Sequence, residues 1–419
     1  MRDVLALILS GGGGERLGVL CAERAVSALP FGGKYRVIDF VLSNCCHSGV
    51  GRVGVLAQHA PASLNDHIGA GRTWDLDRRA GGVVILQPYQ TRSHAGWYRG
   101  TADAIAQNWD WIEEHRSERV LVLSGDQIVR MDYRPLVAAH MQHEAAVTVA
   151  VTQVPAHEAH RFGMVHVDLS GRIRSIEEKP QRTDAALANM GIYLFETERL
   201  AEMLRARPVD MVLDVLRPQI AAGQRVHAHE FEGFWEDVGT VASYYRANLE
   251  LVRAQPRLAL HDARWPILTR DEERPPVWVG EAATIEDSLV ANGCRIEGRV
   301  RRSILFPGVQ VGPDAEVSES VIMADTRLET GAVVHHAILD KYVRVGAGAC
   351  VGEGGGEDDH GLDWLAGLAL VGKDTWIPER GHVRRPCAIG VGGRYEDFRE
   401  GVLDAGSLIP NRRWYEELP

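Results

Sequence analysis

Two short stretches of this sequence carry residues suited to phosphate chemistry. Val4-Leu5-Ala6-Leu7-Ile8-Leu9 is a run of six apolar residues, followed by Ser10, four glycines (Gly11, Gly12, Gly13 and Gly14) and Glu15-Arg16. Such a run bounded by glycine fits a buried parallel strand, and a loop without side chains lets backbone N–H groups approach an anion closely. Arg16 then supplies a positive charge at the far end of the loop. Taken alone, the four glycines fit a plain turn better than a phosphate loop. The second stretch is Gly125-Asp126, directly after the apolar run Val120-Leu121-Val122-Leu123-Ser124. In α/β sheets ligands bind at the carboxyl ends of strands, which is where this carboxylate falls. An Asp after a strand also serves as a turn or cap residue, so its weight comes from the glycine loop on the first strand. Two better-known glycine loops are excluded. A P-loop needs Gly-Lys-Ser/Thr where Glu15-Arg16-Leu17 stands, and a dinucleotide fingerprint starting at Gly11 needs glycine where Arg16 stands.

The elements that position these groups alternate between strand and helix. Arg52–Ala57, Arg119–Ser124 and Ala146–Val151 read as short buried strands, and Ile105, Trp109 and Ile112 mark one face of a helix between the first two. Residues 1–251 therefore read as an α/β domain with a mostly parallel sheet. Within it, residues 24–40 are broken by Pro and Gly and carry Arg24, Lys34 and Arg36, a second wall for an anion. Residues 252–276, with Gln255-Pro256, Trp265-Pro266 and Pro275-Pro276, read as a linker.

From about residue 277 to 390 an apolar residue recurs every six positions: Leu305, Val311 and Val317; Ile322, Leu328 and Val334; Leu339, Val345 and Val351. The three series start 17 residues apart, so each turn has three short faces with one inward residue per face. That is the requirement of a triangular parallel β-helix. Gly312, Gly346 and Gly352 follow inward positions, where corners need tight backbone. Residues 352–361 read as a solvated excursion from the coil, in which Asp358, Asp359 and His360 are too close in sequence to make good metal geometry. Residues 391–419, with Arg412, Arg413 and Trp414, read as a C-terminal tail.

At 419 residues the chain is long enough for two or three domains, and a 45% hydrophobic content is that of ordinary globular proteins. A formal charge of −11 argues against a nucleic-acid surface. The six cysteines form no C-x-x-C pair and no disulfide framework, which predicts free thiols and a cytoplasmic protein. No run approaches the ~18 apolar residues of a membrane span, and the apolar run near Met1 lacks the cleavage site of a signal peptide.

With these residues in place, the chain resembles the sugar-phosphate nucleotidyltransferases, over about residues 3–350. The resemblance rests on Gly11 to Leu17, Pro30 to Phe40 with Leu42-Ser43-Asn44, Trp97 to Ala104, Gly125-Asp126, Phe162-Gly163, Glu178-Lys179-Pro180, Met190 to Tyr193, and Trp235 to Thr240. It is strongest to the bacterial ADP-glucose pyrophosphorylase branch. It implies a Rossmann-like nucleotidyltransferase domain followed by a left-handed parallel β-helix, and a homotetramer, with a hetero-oligomer containing a paralogous subunit as the variant. It also implies that ATP and glucose 1-phosphate give ADP-glucose and pyrophosphate, for glycogen or α-glucan synthesis, with Mg²⁺ as cofactor and small phosphorylated metabolites as allosteric effectors. Carried over by position, Asp126 and Asp237 bind the metal, with Asp126 and Arg16 acting in catalysis. Lys179 takes the sugar phosphate, with Tyr98, Gly163, Glu178 and Asn189 around the sugar. Gly11, Gly12, Gly13, Gly14, Gln87, Gly100 and Thr101 lie along the nucleotide. A sugar phosphate with a second pKa near ~6 is already dianionic at neutral pH, so the reaction calls for positioned cations and no general base.

Three positions depart from the family pattern. Arg-Ala-Lys-Pro is replaced by Arg24-Ala25-Val26-Ser27, removing a cation near the phosphates. Loss of one such contact costs about 2–4 kcal/mol in a transition state of this type unless Lys34, Arg36 or Arg24 substitutes. Asn189 stands where serine is usual, and Asp210-Met211-Val212-Leu213-Asp214 lacks the usual lysine of its motif. These changes admit a second reading, a modulatory homologue that binds nucleotide or effector and assembles with an active subunit. A third keeps the enzyme but changes the substrate to UTP, GTP or an aminosugar phosphate. Acetyl transfer on the β-helix needs a longer coil than this one.

Overall fold

The computed structural model describes residues 1–89, 96–354, 362–398 and 400–412. Asp358, Asp359, His360, Arg413 and Trp414 lie outside the described residues. The chain forms two compact units that are interleaved in sequence. One comprises Met1–Gly12, Ile38–Trp235 and Ala263–Leu268; the other comprises Gly13–Val37, Glu236–Asp262 and Thr269–Pro419.

The first unit is built on a nine-stranded sheet. Val4–Ser10 lies at its centre, parallel to Arg52–Ala57 on one side and Arg119–Ser124 on the other, and Gly82–Leu86 extends the parallel half beyond Arg52–Ala57. Leu5, Ala6, Leu7 and Ile8 are fully buried, as a strand covered on both faces requires. The other half turns through the long strand Leu187–Glu196. This strand runs antiparallel to Arg119–Ser124, to Val147–Gln153 and to Gly163–Val167. The parallel half thus presents its carboxyl ends as one edge, where Gly11, Gln58, Gln87 and Asp126 follow their strands.

The second unit contains a parallel β-helix of three ladders, running from Trp278 to Ile409. The ladders join Val311 to Leu328 to Val345, Val317 to Val334 to Val351, and Leu305 to Ile322 to Leu339 in register. All nine residues of the six-residue period point inward and are at most 2% exposed. Beyond Val345 the next rung is Ile377, and the strand Cys350–Glu353 is followed in the ladders by Ala369–Val371. The same ladders continue into Val402–Leu403 and Leu408–Ile409. Alongside the coil, this unit holds the turn Glu15–Cys21 and the helix Val241–Glu250.

Candidate active site

In the first unit, Asp126 sits two residues beyond the end of the strand Arg119–Ser124, and Ser124 Oγ donates to its Oδ1. Gly125 fixes the position, because its N–H donates to Leu9 O at 2.9 Å and a Cβ there would sit 2.8 Å from the same carbonyl. The carboxylate is thereby held beside the exit of the central strand. Around Gly12 there is open space, and Gln87 is exposed just past Gly82–Leu86. Gln58, at the end of its own strand, lies 3.6 Å from a Cβ built on Gly11 and holds the Tyr98 backbone through two hydrogen bonds of 2.7 and 3.2 Å. The rule that ligands gather at carboxyl ends could have singled out Gln58, but no motif drew attention to it.

A second group forms where the antiparallel half begins. Gly163 pairs with Glu178 across two strands, and a Cβ at Gly163 would lie 2.9 Å from Glu178 Oε2 and 3.7 Å from Asn189 Cβ. Glycine is what keeps the floor between Glu178 and Asn189 clear. Lys179 adopts φ +46°, its N–H donates to Phe162 O at 3.0 Å, and its half-exposed ammonium is 3.6 Å from Glu178 Oε1. Asn189 accepts from Gly191 N and donates to Tyr193 Oη, both at 2.9 Å, where the strand shifts register. The amide therefore spans a bulge that a shorter serine hydroxyl could not bridge in the same way. Burial raises the Tyr193 phenol above its ordinary range, against the opposing bond from Asn189.

Three residues expected at the ligands have other partners. Tyr98 is 6% exposed; its hydroxyl accepts from Asn108 Nδ2 at 3.0 Å and donates to Leu86 O at 3.3 Å, and burial lifts its pKa to about 12. Thr101 Oγ1 accepts from Met211 N at 2.9 Å, and a Cβ at Gly100 would fall 2.5 Å from Val209 O. Gly100 and Thr101 thus dock the start of the helix Thr101–Gln107 onto residues 209–211. That segment is self-capped. Asp210 Oδ1 accepts from Val212 N and Leu213 N, and Asp214 Oδ2 accepts from Val209 N and Asp210 N. These backbone donors lower the Asp214 pKa. Leu213, at the position of the missing lysine, faces solvent.

In the second unit, Arg16 and Asp237 both border Gly239. A Cβ there would sit 3.0 Å from Arg16 Nη2 and 3.2 and 3.3 Å from the two Asp237 carboxylate oxygens. Asp237 is not a helix cap: Thr240 caps Val241–Glu250, in a capping box with Ser243. Gly14, at φ +66°, lies over Val26, whose Cγ2 would be 2.9 Å from a Cβ on it. Val26 is 8% exposed, so at the position where the resemblance implies a lysine this chain has an apolar contact under the loop.

The neighbouring cations have separate fates. Arg24 is 5% exposed and grips the fully buried Asp340 through contacts of 2.8, 2.9 and 3.0 Å. Burial opposes its charge, and Asp340 more than compensates, so its pKa is raised. Arg24 is therefore a structural tie, which corrects the expectation that it could stand in for the missing lysine. Lys34 is half-exposed, 3.8 Å from Asp271. Lys341, next to Asp340, has its pKa lowered to about 8 by burial first and then by Arg36 and Arg24.

A strand that empties into glycines, a carboxylate at the neighbouring strand's end and a six-residue-period coil together define a nucleotidyl transferase with a hexapeptide-repeat extension. Residues 5–254 match the Nucleotidyl transferase family and residues 278–366 the GlmU-like C-terminal hexapeptide family. The chain belongs to the nucleotidyl transferase family. Among its relatives is a protein of Thermomicrobium roseum named glucose-1-phosphate adenylyltransferase, 47% identical over 98% of both chains. Proteins with the same name from Thermotoga maritima and Clostridium perfringens are 42% and 44% identical, over 98% and 84% of this chain and 99% and 91% of theirs.

Proposed function

We propose that this protein transfers the adenylyl group of ATP to glucose 1-phosphate, releasing pyrophosphate and forming ADP-glucose for α-glucan synthesis. The observation that carries the reading is the placement of Asp126 beside the open glycine exit of the central strand, in a chain whose full-length relatives bear that activity as their name. A phosphate oxygen of the sugar phosphate attacks the α-phosphorus, and the bond from that phosphorus to the bridging oxygen of pyrophosphate breaks. The attacking oxygen is already unprotonated, so the chain's task is to hold two polyanions in line. Arg16 would bind the triphosphate and Lys179 the sugar phosphate, with Glu178, Gly163 and Asn189 beside the sugar.

Asp126 and Asp237 offer hard carboxylate oxygens. Among the described residues no group of three His, Cys, Asp or Glu side chains could form a protein cage. That donor set suits Mg²⁺, which binds through one or two carboxylates and takes its other ligands from water and phosphates. When bound, the ion would neutralise charge on the departing pyrophosphate. We assign the transferase domain to residues 1–251, joined through 252–276 to the β-helix. We assign small phosphorylated effectors to Lys341, whose pKa burial lowers first, and to Arg36, whose charge lowers it further. No described helix is long and apolar enough to cross a membrane, and a reaction that consumes ATP and a sugar phosphate fits the cytoplasm. We take the assembly to be a homotetramer.

Val26 under the glycine loop, with Arg24 committed to Asp340, favours a second reading: a weakly active or modulatory subunit that works with an active partner. One assay separates the two. Purified protein with Mg²⁺, glucose 1-phosphate and each of four nucleoside triphosphates should release pyrophosphate with ATP. Asp126→Asn should abolish release without shifting the thermal midpoint. Absence of turnover with every nucleotide, alongside tight effector binding, would establish the modulatory role.

A further inference from the structure

We propose that Trp364, on the excursion that interrupts the β-helix, is a positioning residue for Arg16; this rests on the adenylyl-transfer reading above. The turn Glu15–Cys21 that carries Arg16 is not a continuous helix. It breaks at Gly18, with φ 53° and ψ −127°. Against that break lies the indole of Trp364, so close that a Cβ on Gly18 would fall 2.8 Å from Cζ3 and 2.9 Å from Cη2. Glycine is needed there twice over, for its backbone angle and for the ring.

The indole is itself anchored. It sits in a tight turn, Asp363–Leu365, between the buried Leu362 and Leu365, and the N–H of Leu365 donates to Leu362 O at 2.9 Å. The same turn packs against the helix Val241–Glu250, which follows Gly239, the residue that Arg16 and Asp237 both border. Trp364 thus touches the segment that carries Arg16 and belongs to a turn packed on the helix that sets its neighbour. Further along the loop, Lys373 pairs with Glu23 at 2.7 Å and Asp340 with Arg24. The coil therefore holds residues 18–24 at three points.

Arg16 has an exposed side chain and, among the described residues, no ion pair of its own. A long guanidinium that forms no ion pair takes its aim chiefly from its backbone. A misplacement of about 1 Å in a group that meets the transition state costs about 10²-fold in rate. The ring on Gly18 is what removes that freedom, two residues from the charge.

The test uses the full chain with Trp364→Ala, Trp364→Phe and Gly18→Ala. Trp364→Ala and Gly18→Ala are expected to lower kcat about ten- to a hundred-fold and raise the KM for ATP, leaving the KM for glucose 1-phosphate within about two-fold. Trp364→Phe should recover most of the loss. Amide hydrogen exchange of residues 15–21 should quicken in the Ala variant while that of strands 333–351 stays unchanged. This last measurement needs no turnover, so it decides the proposal even if the wild-type protein proves inactive. Unchanged exchange in 15–21 overturns the proposal. So does an equal loss of protection throughout the β-helix, or a Phe variant no better than Ala.

Discussion

Removing Arg24 separates two roles that a guanidinium near the glycine loop can have. If it is a tie between residues 13–37 and the coil, as the bidentate pair with Asp340 indicates, its loss leaves a carboxylate that is 0% exposed with, among the described residues, the Lys341 amide at 2.7 Å as its remaining donor. Breaking a buried pair from one side costs about 3–5 kcal/mol, because the surviving charge keeps its desolvation penalty without its partner. Replacing both groups by leucine removes that penalty and should cost far less than the sum of the single changes. We expect Arg24→Ala to lose about 3–5 kcal/mol in urea unfolding, Asp340→Leu to lose a comparable amount, and the double leucine variant to recover more than half of it. The kcat of the folded fraction, measured by pyrophosphate release, should fall by less than about ten-fold, a barrier change near 1.4 kcal/mol. A stability loss under about 1 kcal/mol with a hundred-fold fall in kcat would refute the argument, since Arg24 would then be acting on the phosphates.

Three further outcomes follow from the same geometry. Val26→Lys restores a cation where the chain buries an apolar side chain, and kcat should rise about ten-fold or more; an unchanged rate in the pyrophosphate assay would mean that other cations already serve the phosphates. The Lys341 pKa is depressed to about 8 in the folded state from an ordinary value of 10.5, so the unfolded chain holds one more proton between those values. Stability should therefore rise with pH across that window, and Lys341→Gln should remove the slope in urea midpoints taken at several pH values. Binding of inorganic phosphate, followed by calorimetry, should weaken as pH climbs through about 8, and the same substitution should flatten that profile too.

The candidate-site motifs could be picked out from sequence because the residues that define them are local. A glycine run after an apolar strand, or an Asp directly beyond another, announces itself within a dozen residues, and the carboxyl-end rule supplies the rest. The β-helix was legible for a related reason. A coil with one inward residue per face forces a period of six, and all nine residues of the counted series are buried. Tyr98, Gly100 and Thr101 were less transparent. Each lies in a motif that the resemblance ties to ligands, yet their polar atoms and close backbone approaches are taken up by Asn108, Leu86, Val209 and Met211.

What this sequence determined by itself was which short segments carry charge, carboxylate and bare backbone, and how often the coil turns. What only the tertiary structure decided was how those charges are spent. Arg24 and Asp340 stand 316 positions apart, and Trp364 reaches Gly18 from an excursion that no periodicity marks. Repeats and strand patterns are set by neighbours along the chain. Ion pairs and ring contacts depend on which surfaces folding brings together, and that is why the fate of each cation could not be read from its motif.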